Sequence, residues 1–169
     1  MATRHYLGPD AESTPIAFAP SAGWEDTSIL ARAFGKTTKR GLSMASVDFS
    51  DVDYTDKDIL FRQYDLGELT PGQRILSSDL DTILYVSICI RVSEAVITGN
   101  MYLAFGLRIM AANGTTVRAT LVPVERVSVE ASVETLLSRY AVVGMANVDY
   151  TTVTGDHGVL EIGMGGDPT

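Results

Sequence analysis

Thiol and indole are scarce in this 169-residue chain, which holds one cysteine, Cys89, and one tryptophan, Trp24. A lone cysteine closes no intrachain disulfide, so stability must come from packing or assembly. In the middle of a strand-like run, Cys89 reads as an inert small residue. Histidine is nearly as sparse, with only His5 and His157. With so few nitrogen and sulfur donors there is no convincing zinc set, and no metal or cofactor is expected. Cations are few too: Lys and Arg number 13 against 21 Asp and Glu, a formal net charge of −8. Phosphate backbones are bound by Lys and Arg, so nucleic acid is not the expected partner. An acidic surface instead favours solubility at high local concentration. No apolar run approaches the ~18 residues of a membrane helix. Met1 to Pro20 carries Arg4, His5, Asp10 and Glu12 and lacks the apolar stretch of a secretory signal. The expectation is synthesis in the cytoplasm, with no membrane partner.

What is present is alternation. In Ile83 to Val92, residues Leu84, Val86, Ile88, Ile90 and Val92 share one parity. In Met101 to Met110, residues Met101, Leu103, Phe105, Leu107 and Ile109 share one, with Arg108 on the other. Period-two patterning rich in β-branched residues predicts strands with one face on a core. Asn113-Gly114 accepts the positive φ of a tight hairpin before a third run, Thr115 to Val122. Ile59 to Leu66 reads as a preceding strand, closed by the turn Thr70-Pro71-Gly72. Pro123 predicts an edge or a bulge, with Val124 to Glu130 continuing beyond it. Leu136 to Val148 and Val159 to Met164 complete the set around the turn Thr154-Gly155-Asp156. In the last run Leu160, Ile162 and Met164 face one way and Glu161 the other, and the glycines after it predict a loose end. Seven or eight strands with short turns predict an all-β fold, an antiparallel β-sandwich of jelly-roll type.

Ahead of the sandwich (residues 59–169) lie two other regions. Residues 1–23, punctuated by Pro9, Pro15, Pro20, Gly8 and Gly23, read as an extended N-terminal arm outside the core. Deleting residues 1–20 is therefore expected to leave a folded domain. Residues 24–58 form a strap region with charged loops, in which Trp24 to Phe34 suits a short helix or a strand. Arg32, Lys36, Lys39 and Arg40 cluster there, followed by Asp48, Asp51, Asp53, Asp56 and Asp58. These are solvated loops or a complementary charge pair between subunits.

Chemical motifs fail on inspection. Gly35-Lys36-Thr37 lacks the earlier glycine of a phosphate loop, since Leu30 holds that place. Asp51 to Asp56 lacks the turning glycine and the final Glu of a calcium loop, whose places are taken by Asp56 and Arg62. Asn113-Gly114-Thr115 reads as a turn, not as a glycan acceptor. Asp156 and His157 are adjacent, whereas a triad converges from separate segments. No catalytic residue is assigned, and the chain is not expected to be an enzyme.

Several stretches together resemble structural proteins of tailed bacteriophages. They are Leu69-Thr70-Pro71-Gly72-Gln73-Arg74-Ile75, Ile88 to Glu94, Asn100 to Ala104, Leu107-Arg108-Ile109, Asn113 to Leu121 and Gly155 to Gly163. The resemblance runs from Phe61 to Gly163 and leaves residues 1–60 unmatched. It implies a jelly-roll virion protein of the capsid decoration (cement) type, a homotrimer on the outer capsid surface bound to the major capsid protein. The alternative is a carbohydrate-binding or adaptor module of a phage tail or fibre. The residues expected at the capsid or subunit interface are Trp24, Arg32, Lys36, Lys39, Arg40, Tyr85 and Tyr102.

Overall fold

The computed structural model describes residues 16–28, 30–34, 57–77, 83–90, 100–130, 138–145 and 148–167. Among the described residues there are nine strands and no helix: β1 (Ala31–Phe34), β2 (Asp58–Glu68), β3 (Arg74–Ile75), β4 (Ile83–Ile90), β5 (Asn100–Ala111), β6 (Val117–Glu130), β7 (Ser138–Met145), β8 (Tyr150–Thr151) and β9 (Asp156–Asp167). The all-β class follows the alternation. Five strands form one sheet in the order β1-β2-β9-β5-β6, and two ribbons pair β3 with β8 and β4 with β7. Residues of β6 also come against β7, so that ribbon adjoins the large sheet.

The expectation of a purely antiparallel sheet changes. The sheet is mixed, because β1 runs parallel to β2 with Phe34 opposite Asp65. Trp24 to Phe34 thus ends in a strand. A parallel pair cannot be closed by a hairpin; the chain leaves β1 level with Asp65 and re-enters β2 at Asp58, farther down the sheet. The run at Ile83 is also no neighbour of the run at Met101. β4 pairs antiparallel with β7, while β5 lies between β6 and β9. Alternation specifies which face a strand buries; it carries no address for the strand beside it.

The centre of the sheet is buried on both sides. Leu103, Phe105, Leu107 and Ile109 of β5 enter a core with Leu160, Ile162 and Met164 of β9. On the other face Ala104, Arg108 and Met110 are equally buried, covered by Ile16 to Trp24, a segment that lies across the sheet and is called the strap from here on. Phe18 is 1% exposed and packs with Met110 and Val159. Trp24 packs with Leu60 and Ala104. The arm expected to stay outside the core therefore contributes to it from residue 16 onward. Pro, Ala, Ser and Gly dominate its composition, and they hid the packing role of a single phenylalanine.

The turns behave as their residues require. Gly114 has φ 76° between β5 and β6, and the Asn113 carboxamide oxygen accepts the Thr115 and Thr116 amides at 3.1 and 3.0 Å. Gly72 has φ 82° after Pro71. Pro123 sits in β6 on the sheet edge, inside the register shift between Phe105 and Leu107, where a missing donor costs no ladder bond.

The C-terminal glycines are not loose. β9 runs on to Asp167 between β2 and β5. A methyl at Gly163 would collide with the Ile59 carbonyl and the Trp24 ring; only glycine lets the strap approach this backbone so closely. Gly163→Ala is expected to destabilise the fold by about 1–3 kcal/mol through overpacking, read as a lower urea midpoint with an unchanged slope.

Candidate functional site

Under the strap lies a buried polar cluster. Glu161 takes the parity opposite Leu160 and Ile162, as the alternation predicts, yet it is 0% exposed because the strap covers that face. Its carboxylate accepts four hydrogen bonds. Oε1 receives Arg108 Nη2 at 2.5 Å, Gln63 Nε2 at 3.1 Å and the Ser21 amide at 3.1 Å, and Oε2 receives the Trp24 indole at 3.0 Å. Arg108 is 4% exposed and also donates from Nη2 to the Ala19 carbonyl at 2.7 Å. Register explains the convergence: Gln63 lies directly across from Glu161 in β2, and Arg108 is two residues along from Gly106, its partner in β5. Three strands and the strap thus meet at one buried ion pair.

Two further clusters flank it. His157 Nδ1 lies 3.0 Å from Asp65 Oδ1, which also accepts the Gly67 amide at 2.8 Å. The Phe18 ring rests on the imidazole with centroids 5.6 Å apart. Asp156 is buried on the opposite face, where Oδ2 accepts the Tyr150 hydroxyl and the Val153 amide, both at 2.8 Å. Arg118 Nε stands 3.6 Å from Asp156 Oδ1. Adjacent strand residues project to opposite faces, so Asp156 and His157 serve separate clusters and do not act as a pair.

Burial raises the phenol pKa of Tyr64 above its ordinary value of 10.0. Burial also raises that of Tyr150, reinforced by its hydrogen bond to Asp156. Two exposed aspartates move the other way. Hydrogen bonds from Ser28 lower Asp26, and those from Ser77 lower Asp149.

Of the expected interface residues, Trp24, Arg32 and Tyr102 are among those described. Trp24 is spent inside the fold on Glu161 and offers little surface to a partner. Arg32 is exposed on β1 at the sheet edge, and Tyr102 is half-buried on β5 opposite Gly165. Lys36, Lys39 and Arg40 lie outside the described residues, as do His5 and the tract Asp51 to Asp56. Tyr85 is on β4, but its side chain is not among those described. Among the described residues no group of His, Cys, Asp and Glu could hold a metal ion, and no helix is long and apolar enough to cross a membrane.

The chain matches no family model, no curated protein and no solved structure.

Chemically, the central cluster is a lock for the strap. Every oxygen of Glu161 is occupied, while Gln63 Oε1 and Arg108 Nε have no hydrogen-bond partner. The alternation places Arg108 and Glu161 on the parity opposite the core residues and does not say what covers that face. The available signal was their setting, Leu107-Arg108-Ile109 and Leu160-Glu161-Ile162, in strands apolar enough to be central. Gln63 gave no such sign.

Glu161→Gln would strand the Arg108 charge in the interior and is expected to cost about 3–5 kcal/mol, measured by urea denaturation. Tyr150 gives a pH prediction. Its folded pKa is raised, so the phenol's contribution is fully present below pH 10.0 and is lost as pH rises through the folded value. Tyr150→Phe should therefore cost about 1 kcal/mol at neutral pH. The gap from the unsubstituted chain should close in alkali, as followed by denaturation midpoints across pH.

Proposed function

We propose that the chain is a non-enzymatic virion structural protein, a phage capsid decoration (cement) protein with a jelly-roll sandwich. It binds the major capsid protein as a homotrimer on the outer capsid surface. The observation that carries this reading is the way the N-terminal segment is fastened. Ala19 donates to the Gly114 carbonyl at 2.7 Å and accepts from Arg108, so the strap is tied to the β5–β6 hairpin and to the sheet's buried ion pair. Residues 1–15 precede that fixed point in the sequence. A segment that grips a neighbouring shell must pass load to a rigid body, and central strands supply one. The fastening suits a tether better than it suits a catalytic site, because both carboxylate oxygens of Glu161 are already engaged.

β1 ends level with Asp65, toward the same end of the sheet as the hairpin turn. Lys36, Lys39 and Arg40 follow β1 in sequence and engage the same partner as the arm. Arg32 belongs to the same edge, and Tyr102 and Tyr85 supply aromatic contacts between subunits.

Deleting residues 1–15 tests the reading, because the boundary spares Phe18 and Ala19. The shortened chain should unfold at the same denaturant midpoint and lose about tenfold or more in affinity for purified capsids of its phage. Unchanged co-sedimentation with those capsids would refute the role of the arm. A native mass other than three chains would refute the trimer, and selective glycan-array binding would favour the tail-fibre module instead.

A further inference from the structure

The strap is held in an unusual way. Among the described residues, Ile16 to Trp24 makes one backbone–backbone hydrogen bond to the sheet, from Ala19 to Gly114; the other two in that stretch are local, Phe18 to Ile16 and Trp24 to Ser21. The strap belongs to no ladder. Its other ties run to side chains: Ser21 and the Trp24 indole to Glu161, the Ala19 carbonyl to Arg108, Phe18 into the seat formed by Met110, Val159 and the His157 ring, and Trp24 onto Leu60 and Ala104. Just downstream the chain is fixed again, by Glu25 and Asp26 on the Asp58 carbonyl and by Leu60 on Asp26. Between the two lies the exposed turn Ala22-Gly23.

Opening this segment breaks few bonds, and the exposure of Phe18, Met110 and Val159 is partly offset by rehydration of the ion pair. With Ile16 to Ser21 lifted, Glu161 keeps Arg108, Gln63 and Trp24 as donors, and water reaches two ions that were desolvated. Segments with few ladder bonds open before the sheet does. The vacated groove is selective: it asks for a phenyl ring, a carbonyl and an amide at the spacing of Phe18, Ala19 and Ser21. Every other copy of this chain carries that segment.

We propose that Ile16 to Ser21 opens as a unit about Ala22-Gly23 and seats in the same groove of a second copy, so that straps are exchanged between subunits. Such an exchange joins copies through contacts already optimised within one chain. It goes beyond capsid binding and stands or falls separately from it.

Two measurements on the full-length chain test it. In native-state hydrogen exchange the Ser21 amide should be at least about tenfold less protected than the Trp24 indole and the β9 amides. Equal protection at all three, lost only on global unfolding, would overturn the opening unit. For the exchange, Ala17→Cys and Thr115→Cys are made in separate chains that also carry Cys89→Ser. Ala17 and Gly114 are in contact, and residues 17 and 115 are exposed. After mixing, a short bifunctional thiol reagent should give a linked dimer of the two variants. If only a chain carrying both cysteines links, and only within itself, exchange does not occur.

Discussion

A carboxylate cannot be taken out of water without replacements for the water it loses, and Glu161 is taken out completely. An isolated buried charge of this kind costs more than most domains have in net stability. The chain therefore brings four donors to it, from β2, from β5 and twice from the strap. Much else follows from that requirement. β9 must lie between β2 and β5, the strap must cross the sheet where Ser21 and Trp24 can reach it, and Gly163 must lack a side chain so that the indole can come down. Removing any one of these leaves Glu161 or Arg108 underbonded.

The same requirement explains why a polar cluster occupies a place that leucines could have filled. A buried ion pair contributes little net stability compared with an apolar packing of equal volume. What it does fix is geometry. An apolar strap could slide along an apolar face at small cost, whereas a strap that must place a carbonyl on Arg108 and an amide on Glu161 has one register. Phe18 and Trp24 supply the affinity, by area removed from water, and the ions supply the position. That division fits the tether proposed above.

Much of the fold was legible in the residues. The strands around Ile59, Met101 and Val159, the Asn113-Gly114 hairpin, the turn at Pro71-Gly72 and the edge position of Pro123 all follow from local chemistry. Each depends on residues close in sequence. What was not legible depends on partners far apart. The separation of β4 from β5 and the parallel pairing of β1 with β2 are choices among strands whose local patterns are equally good. The site was half visible. Arg108 and Glu161 stood out as charges within apolar strands, but a sheet face reads as outer until something covers it. The cover came from a segment rich in Pro, Ala, Ser and Gly, whose composition resembles that of a free arm.

That last point bears on where the arm ends and the domain begins. Composition set the boundary at residue 23, while packing sets it at residue 16 or earlier, since Ile16 already packs beside Phe18, Met110 and Val159. The difference is physical. Proline and glycine describe what a backbone resists or permits, and an extended strap lying across a sheet needs the same permissions as an extended arm in solvent. Only the side chains tell the two apart, and here a few suffice: Phe18 for area, Trp24 for area and one hydrogen bond, and otherwise backbone groups that any residue would carry. A strap held largely through its backbone leaves almost no trace in its own sequence. Its trace is in the sheet beneath it, as a glutamate and an arginine in strands where charge has no other reason to be.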